Sequence, residues 1–224
     1  LHLSIRRQRQ IGRRDRHIAV RNISAVQGTL MTEELPLLEG VNPTRRQEII
    51  SGRTLARELM AEMGFSPLPI ARHAVGSPVW PTGLCGSIAH SNRHVAVVLA
   101  PSSKALSVGV DIEDGRGLGT AWTEVASEDE VASFGSQRAS ADSATIVREI
   151  FSAKEALYKC QSPITGNEDL GHLDIAVMPT SNGSIKAVNV RTLDQQTAEA
   201  VTATVIKIRE FCGVTLALAW LPAA

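Results

Sequence analysis

From Thr44 to Gly64 apolar residues recur at helical spacing, at Ile49, Ile50, Leu55, Leu59, Met60 and Met63, with Pro43 before the run and Gly64 after it as start and stop signals. This predicts a helix. Between Pro67 and Gly86 proline and glycine are dense, which predicts a surface loop broken at most by a short strand. Val95 to Ala100 is a β-branched apolar run that fits a buried strand. Val108 to Glu113 repeats that signal and ends in the Asp114-Gly115 turn. Helix-forming stretches follow, weak from Trp122 to Phe134 and strong from Thr145 to Cys160. The last third reads as four strands, Asp174 to Met178, Ile185 to Val190, Thr202 to Ile208 and Val214 to Leu221, with a turn at Ser181-Asn182-Gly183. Strands and helices mix in both halves, which predicts an α/β (α+β) protein of two lobes. Pro101-Ser102-Ser103-Lys104 is the expected junction, although no sequence repeat marks it.

Composition narrows the class without naming it. With 224 residues, 43% hydrophobic and 21% charged, the chain fits a globular enzyme. Its 23 basic and 23 acidic residues cancel, so the chain as a whole makes no electrostatic case for nucleic acid. The exception is the start, where Arg6, Arg7, Arg9, Arg13, Arg14, Arg16 and Arg21 face only Asp15. The expected division is therefore a basic segment over 1–24 without fixed structure, a first lobe over 25–104 and a second over 105–224. Cys85, Cys160 and Cys212 are odd in number and lack metal-ligand spacing, so reduced structural thiols are expected. No apolar run is long enough to span a bilayer and no signal-peptide pattern opens the chain, which makes the cytoplasm the expected location.

Four groups of residues can carry chemistry. In Gly109-Val110-Asp111-Ile112-Glu113, strand alternation puts Asp111 and Glu113 on one face and sends Val110 and Ile112 to the core. Two adjacent carboxylates favour a bound cation, and hard oxygen ligands suit Mg²⁺ or Mn²⁺, although a strand ending in DxE at the surface is more often solvated than metal-bound. The motif Phe151-Ser152-Ala153-Lys154-Glu155-Ala156-Leu157-Tyr158-Lys159 aligns Phe151, Glu155 and Lys159 on one helical stripe. Spacing alone does not choose between a surface Glu155–Lys159 pair and a metal ligand beside a phosphate-binding lysine. In the glycine-rich stretch Trp80 to Ser91, Ser87 and His90 can donate to phosphate oxygens and no Walker-type or GxGxxG loop competes for that role, although a turn with a hydrogen-bonded histidine is the commoner meaning of such a stretch. On the first helix, Arg46, Arg53 and Arg57 recur at intervals of seven and four, with Arg45 adjacent; arginine forks match phosphate, although a solvated basic face fits the same spacing.

In order, RRQEIISGRTLAR, GSPVWPTGLCGSIAHS, GVDIE and FSAKEALYK resemble the 4'-phosphopantetheinyl transferase superfamily, specifically its enterobactin-synthase and surfactin-synthetase type. The resemblance covers about Thr44 to Lys159. It implies two similar lobes forming a pseudo-dimer, monomeric as a chain, with coenzyme A bound in the cleft between them and its nucleotide on the first lobe. It places Asp111, Glu113 and Glu155 on Mg²⁺, with Glu155 and Lys159 as the catalytic pair. Lys159, His90, Arg45, Arg53, Arg72 and Ser87 are then the groups that hold the coenzyme. The implied reaction moves phosphopantetheine to a serine of an apo acyl or peptidyl carrier protein of siderophore, nonribosomal peptide or polyketide synthesis and releases 3',5'-ADP. One departure stands out: Ala89 replaces the hydroxyl residue usual in the family before the histidine. Rival readings are a metal-free coenzyme A acyltransferase and a nucleic-acid-binding module, and neither accounts for FSAKEALYK.

Overall fold

The computed structural model describes residues 16–73, 76–115, 119–138 and 141–223. The elements in order are β1 (His17–Asn22), α1 (Pro43–Glu62), β2 (Leu84–His90), β3 (His94–Pro101), β4 (Ala105–Asp114), α2 (Glu128–Gln137), α3 (Ser143–Thr165), β5 (Ile175–Pro179), β6 (Ile185–Asn189), α4 (Gln195–Ala203), β7 (Val205–Phe211) and β8 (Val214–Pro222). Local chemistry sets the long helices. Asn42 caps α1 by accepting from Arg45 N, with Pro43 in the first turn, and Gly64 ends it at a positive φ. Asp142 caps α3 in the same way, and Gly166 closes it in the left-handed conformation.

The strands form two antiparallel sheets, β1-β3-β2 and β4-β8-β7-β6-β5. The first lobe runs strand, α1, strand, strand in the spatial order β1-β3-β2. The second runs β4, α3, then β7 and β8 in the order β4-β8-β7, with β5, β6 and α4 inserted before β7. The two lobes thus share one topology, which carries the two-lobed α+β architecture with no repeat in the sequence.

Alternation along the strands stacks four layers. Val95, Val97 and Leu99 pack under α1 with Leu55, Leu59 and Met60. Ala96, Val98 and Ala100, on the other face of β3, meet Val110, Ile112, Leu216 and Leu218 of the second sheet. The opposite face of that sheet, with Ala217, Ala219 and Leu221, packs against Ile150, Ala153, Ala156 and Leu157 of α3. Both faces of β3 and β8 are therefore buried, which is why their sequences read as unbroken apolar runs.

Three expectations change: Leu84–His90, within the stretch expected as a glycine-rich loop, forms the strand β2. The first lobe starts earlier than residue 25, because His17–Asn22 inside the basic segment pairs with β3 from His17↔Leu99 to Asn22↔His94. Residues 1–15 of that segment lie outside the described residues. The strand expected from Thr202 starts at Val205, because Asp194 accepts from Thr197 N and caps a helix that runs to Ala203. Pro101 to Lys104 form the tight turn between β3 and β4, with Lys104 N donating to the Pro101 carbonyl.

Candidate active site

Gly109, Asp111 and Glu113 point from β4 toward α3. A Cβ on Gly109 would collide with the Ala156 carbonyl oxygen and lie 2.7 Å from Cys160 N, so the glycine lets the helix lie directly on the strand. That contact brings the two acidic motifs together. Lys159 Nζ stands 2.6 Å from Asp111 Oδ1 and 3.8 Å from Glu155 Oε2. Asp111 is buried, not solvated, and its second oxygen has no hydrogen-bond partner among the described residues. Burial, reinforced by the charges of Asp111, Glu155 and Asp114 and opposed by Lys159, pushes the Glu113 carboxyl up to about 7. Burial acts on Glu155 in the same direction, but the hydrogen bond from His172 and the Lys159 charge outweigh it and hold that carboxyl below its ordinary value.

These residues fit a hard divalent cation by donor chemistry. Three carboxylates meet at the strand–helix contact, one with an unpartnered buried oxygen and one whose ionisation is opposed by burial and by the charges of its neighbours, an opposition that a cation would relieve. As the side chains stand, no three His, Cys, Asp or Glu groups among the described residues enclose an ion. The Lys159 ammonium supplies the positive charge against Asp111.

On the first lobe, Arg45, Glu48 and Arg53 of α1 join Arg72, His90 and Lys159 around a cavity of about 300 Å³. Arg53 Nε and His90 Nε2 are buried there without hydrogen-bond partners among the described residues. Burial, together with the neighbouring Arg45, Arg72 and Arg57 and against the pull of Glu34, lowers the Arg53 guanidinium to about 10. Burial likewise lowers His90 to about 4, helped by Arg45 and Arg53 and opposed by Glu48. Concentrated positive charge with an unsatisfied guanidinium donor is a prepared site for an anion.

A second cavity, about 590 Å³, runs along the seam where β2 passes β4 and α3; Trp80, Leu84, Leu106 and Pro163 give it apolar walls. Gly76, Pro78, Ile88 and Lys159 line both cavities, so the two adjoin at Lys159. Arg45, Arg53, Arg72, His90 and Lys159 are thus brought together. Ser87 is not with them, since it is buried and lines the apolar cavity instead.

Sequence spacing misassigns one side chain and misses another. Arg57 shares a helix with Arg53, but its Nη1 holds both oxygens of the fully buried Glu34 and its Nη2 donates to the Thr29 carbonyl, so it ties down the segment before α1. His172, in the loop before β5, has Nε2 2.9 Å from Glu155 Oε1. A histidine in a Gly-His-Leu-Asp loop carries no helical or strand period, so nothing in the pattern couples it to α3.

Two family models match in chain order, the 4'-phosphopantetheinyl transferase N-terminal domain over residues 33–100 and the 4'-phosphopantetheinyl transferase superfamily over 107–216. The chain belongs to this superfamily. Among its relatives in the superfamily, 4'-phosphopantetheinyl transferase Svp of Streptomyces mobaraensis is 31% identical over 67% of this chain and 62% of that protein. Npt of Nocardia iowensis is 33% identical over 54% of each, and PptT of Mycobacterium tuberculosis 31% over 61% of this chain and 60% of that one. The chain therefore spans about three-fifths or less of the relatives it matches. The holo-ACP-synthase of Plasmodium yoelii aligns with 54% of this chain and 96% of its own at a TM-score of 0.39 and 20% identity.

Proposed function

We propose that the protein transfers the 4'-phosphopantetheine arm of coenzyme A to a serine of an apo acyl or peptidyl carrier protein, releasing 3',5'-ADP, as the enterobactin-synthase and surfactin-synthetase type does. One observation carries the reading: a cationic cavity on the first lobe adjoins, at Lys159, a larger and more apolar one, and the three carboxylates gather beside that lysine. Coenzyme A has the same division, an anionic nucleotide and a neutral arm joined by a pyrophosphate. The bond to be broken then falls beside Lys159.

Arg53, Arg45, Arg72 and His90 hold the nucleotide end, and burial makes their hydrogen bonds count for more than they would in water. Asp111, Glu113 and Glu155 are the groups that would hold Mg²⁺ or Mn²⁺, which when bound neutralises and orients a pyrophosphate. Glu155, held ionised, can accept the proton of the incoming serine hydroxyl. That hydroxyl forms a new bond to the β-phosphorus as the bond to the 3',5'-ADP oxygen breaks, and Lys159 offsets the charge left on the departing phosphate. The acceptor would serve siderophore, nonribosomal peptide or polyketide assembly.

The deciding measurement is the mass of an apo carrier protein after incubation with the enzyme, coenzyme A and Mg²⁺. A gain of one phosphopantetheine is expected, lost with EDTA and lost in folded Asp111→Ala and Glu155→Gln proteins. Transfer that survives in folded Asp111→Ala would sink the metal assignment; no mass gain with any carrier would sink the transfer.

A further inference from the structure

Three residues of FSAKEALYK converge on one residue outside the motif, His172. Phe151 stacks its ring on the His172 imidazole, with centroids 5.3 Å apart and planes 29° from parallel. Lys154 Nζ donates 2.8 Å to the His172 carbonyl oxygen and is itself fixed by buried Glu130 and by the Val125 carbonyl. Glu155 receives the imidazole Nε2 at 2.9 Å. A carboxylate oxygen accepts, so the ring places its Nε2–H on Glu155 Oε1. Backbone, ring plane and ring edge of His172 are thus each gripped by a different residue of one helix.

We propose that His172 is a positioning residue for Glu155. It engages Oε1 and leaves Oε2 turned toward Lys159, 3.8 Å away, and so toward the place where the metal and the pyrophosphate would meet. A free glutamate rotates about three side-chain bonds and presents either oxygen to the cleft. The hydrogen bond from a ring that is itself immobilised removes that freedom before any ligand arrives, as partners behind a metal ligand do elsewhere. The arrangement gives Phe151 and Lys154 a function too. Both sit in the motif to hold the loop that holds the carboxylate.

This inference rests on the transfer reading for its catalytic consequence but not for its metal-binding one, and the test separates the two. Mn²⁺ affinity without coenzyme A is measured by calorimetry for wild type, His172→Ala and His172→Gln, alongside kcat and KM for coenzyme A with an apo carrier protein. His172→Ala is expected to weaken Mn²⁺ binding and lower kcat roughly 10- to 100-fold, with the coenzyme KM unchanged. His172→Gln, whose amide can donate to Oε1, is expected to recover most of both. The His172 side chain is one-third exposed, so Tm should hold in both variants. Wild-type Mn²⁺ affinity in His172→Ala overturns the proposal. So does His172→Gln as impaired as His172→Ala, which would make ring packing on Phe151 the whole contribution, and so does a wild type that binds no Mn²⁺. A wild type that binds Mn²⁺ but modifies no carrier fails the transfer reading, while the Mn²⁺ affinities of the variants still decide on His172.

Discussion

His90 and Arg53 each keep a buried nitrogen without a partner among the described residues, a condition that costs about 1–3 kcal/mol per group in the free protein. A fold retains such groups where a ligand relieves them. For His90 the cost has a pH signature. Its ring titrates near 4 in the folded chain and near the ordinary 6.5 once unfolded, so between those values only the unfolded chain takes up the proton. Stability from this residue is complete above pH 6.5 and is lost as the pH falls through 4. Urea unfolding at pH 7.5 and pH 5 should therefore show a smaller difference for His90→Gln than for wild type, and His90→Gln should bind coenzyme A more weakly at pH 7.5. An unchanged pH difference would show that His90 is not the buried neutral group it is taken to be. Arg53 and Arg57 mark where spacing stops being informative. Both point from one face of α1, and only Glu34, a partner 23 residues away in sequence, turns one into a structural clamp and leaves the other facing the cavity.

At the scale of elements, the close approach of β4 and α3 brings Asp111 and Glu155 together, and Gly109 permits it. In Gly109→Ala the new methyl meets helix backbone, which cannot rotate away as a side chain can, so α3 has to lift from the strand. Overpacking of this kind costs about 1–3 kcal/mol and occasionally more. Displacement of the helix should also weaken Mn²⁺ binding, because the carboxylates proposed to hold the ion sit on the two elements being parted. Denaturant unfolding and calorimetry on Gly109→Ala test both, and a variant with wild-type Mn²⁺ affinity would show that the strand–helix distance does not set the site. These central elements were legible because β3, β4 and α3 carry strong periods and long apolar runs. Of the elements the pattern missed, β1 and α4 have specific reasons. The arginines around His17–Asn22 made a strand look like a solvated arm, and the β-branched Thr202 to Ile208 hid the end of an alanine-rich helix capped by Asp194. The loop carrying His172 had no period to read, and only the packing of Phe151 shows where it goes.

For the molecule as a whole, the site works only if the two lobes keep a fixed separation, since the anion-binding groups lie mainly on one and the carboxylates on the other. The apolar interface between the sheets supplies adhesion but little registry, because Val, Ile and Ala side chains can repack with small shifts. Asp114, at the end of β4, supplies a directional contact. It is buried, it accepts from Arg93 N at 2.9 Å, and it lies 2.6 Å from His94 Nδ1, so it fastens the β2–β3 hairpin of the first lobe next to Glu113 of the second. The same hairpin carries His90, four residues before His94. Removing the carboxylate should leave each half-site intact and uncouple them. In wild type, coenzyme A and Mn²⁺ together should raise Tm by more than the sum of their separate effects, because each ligand favours the lobe spacing the other needs. In Asp114→Ala each ligand alone should still raise Tm, starting from a lower baseline, while the joint effect falls to the sum. Thermal unfolding with neither ligand, each one and both reads this directly. Super-additive stabilisation that persists in Asp114→Ala would move the origin of the coupling from the hairpin latch to the ligands themselves, through a pyrophosphate bridging the two lobes.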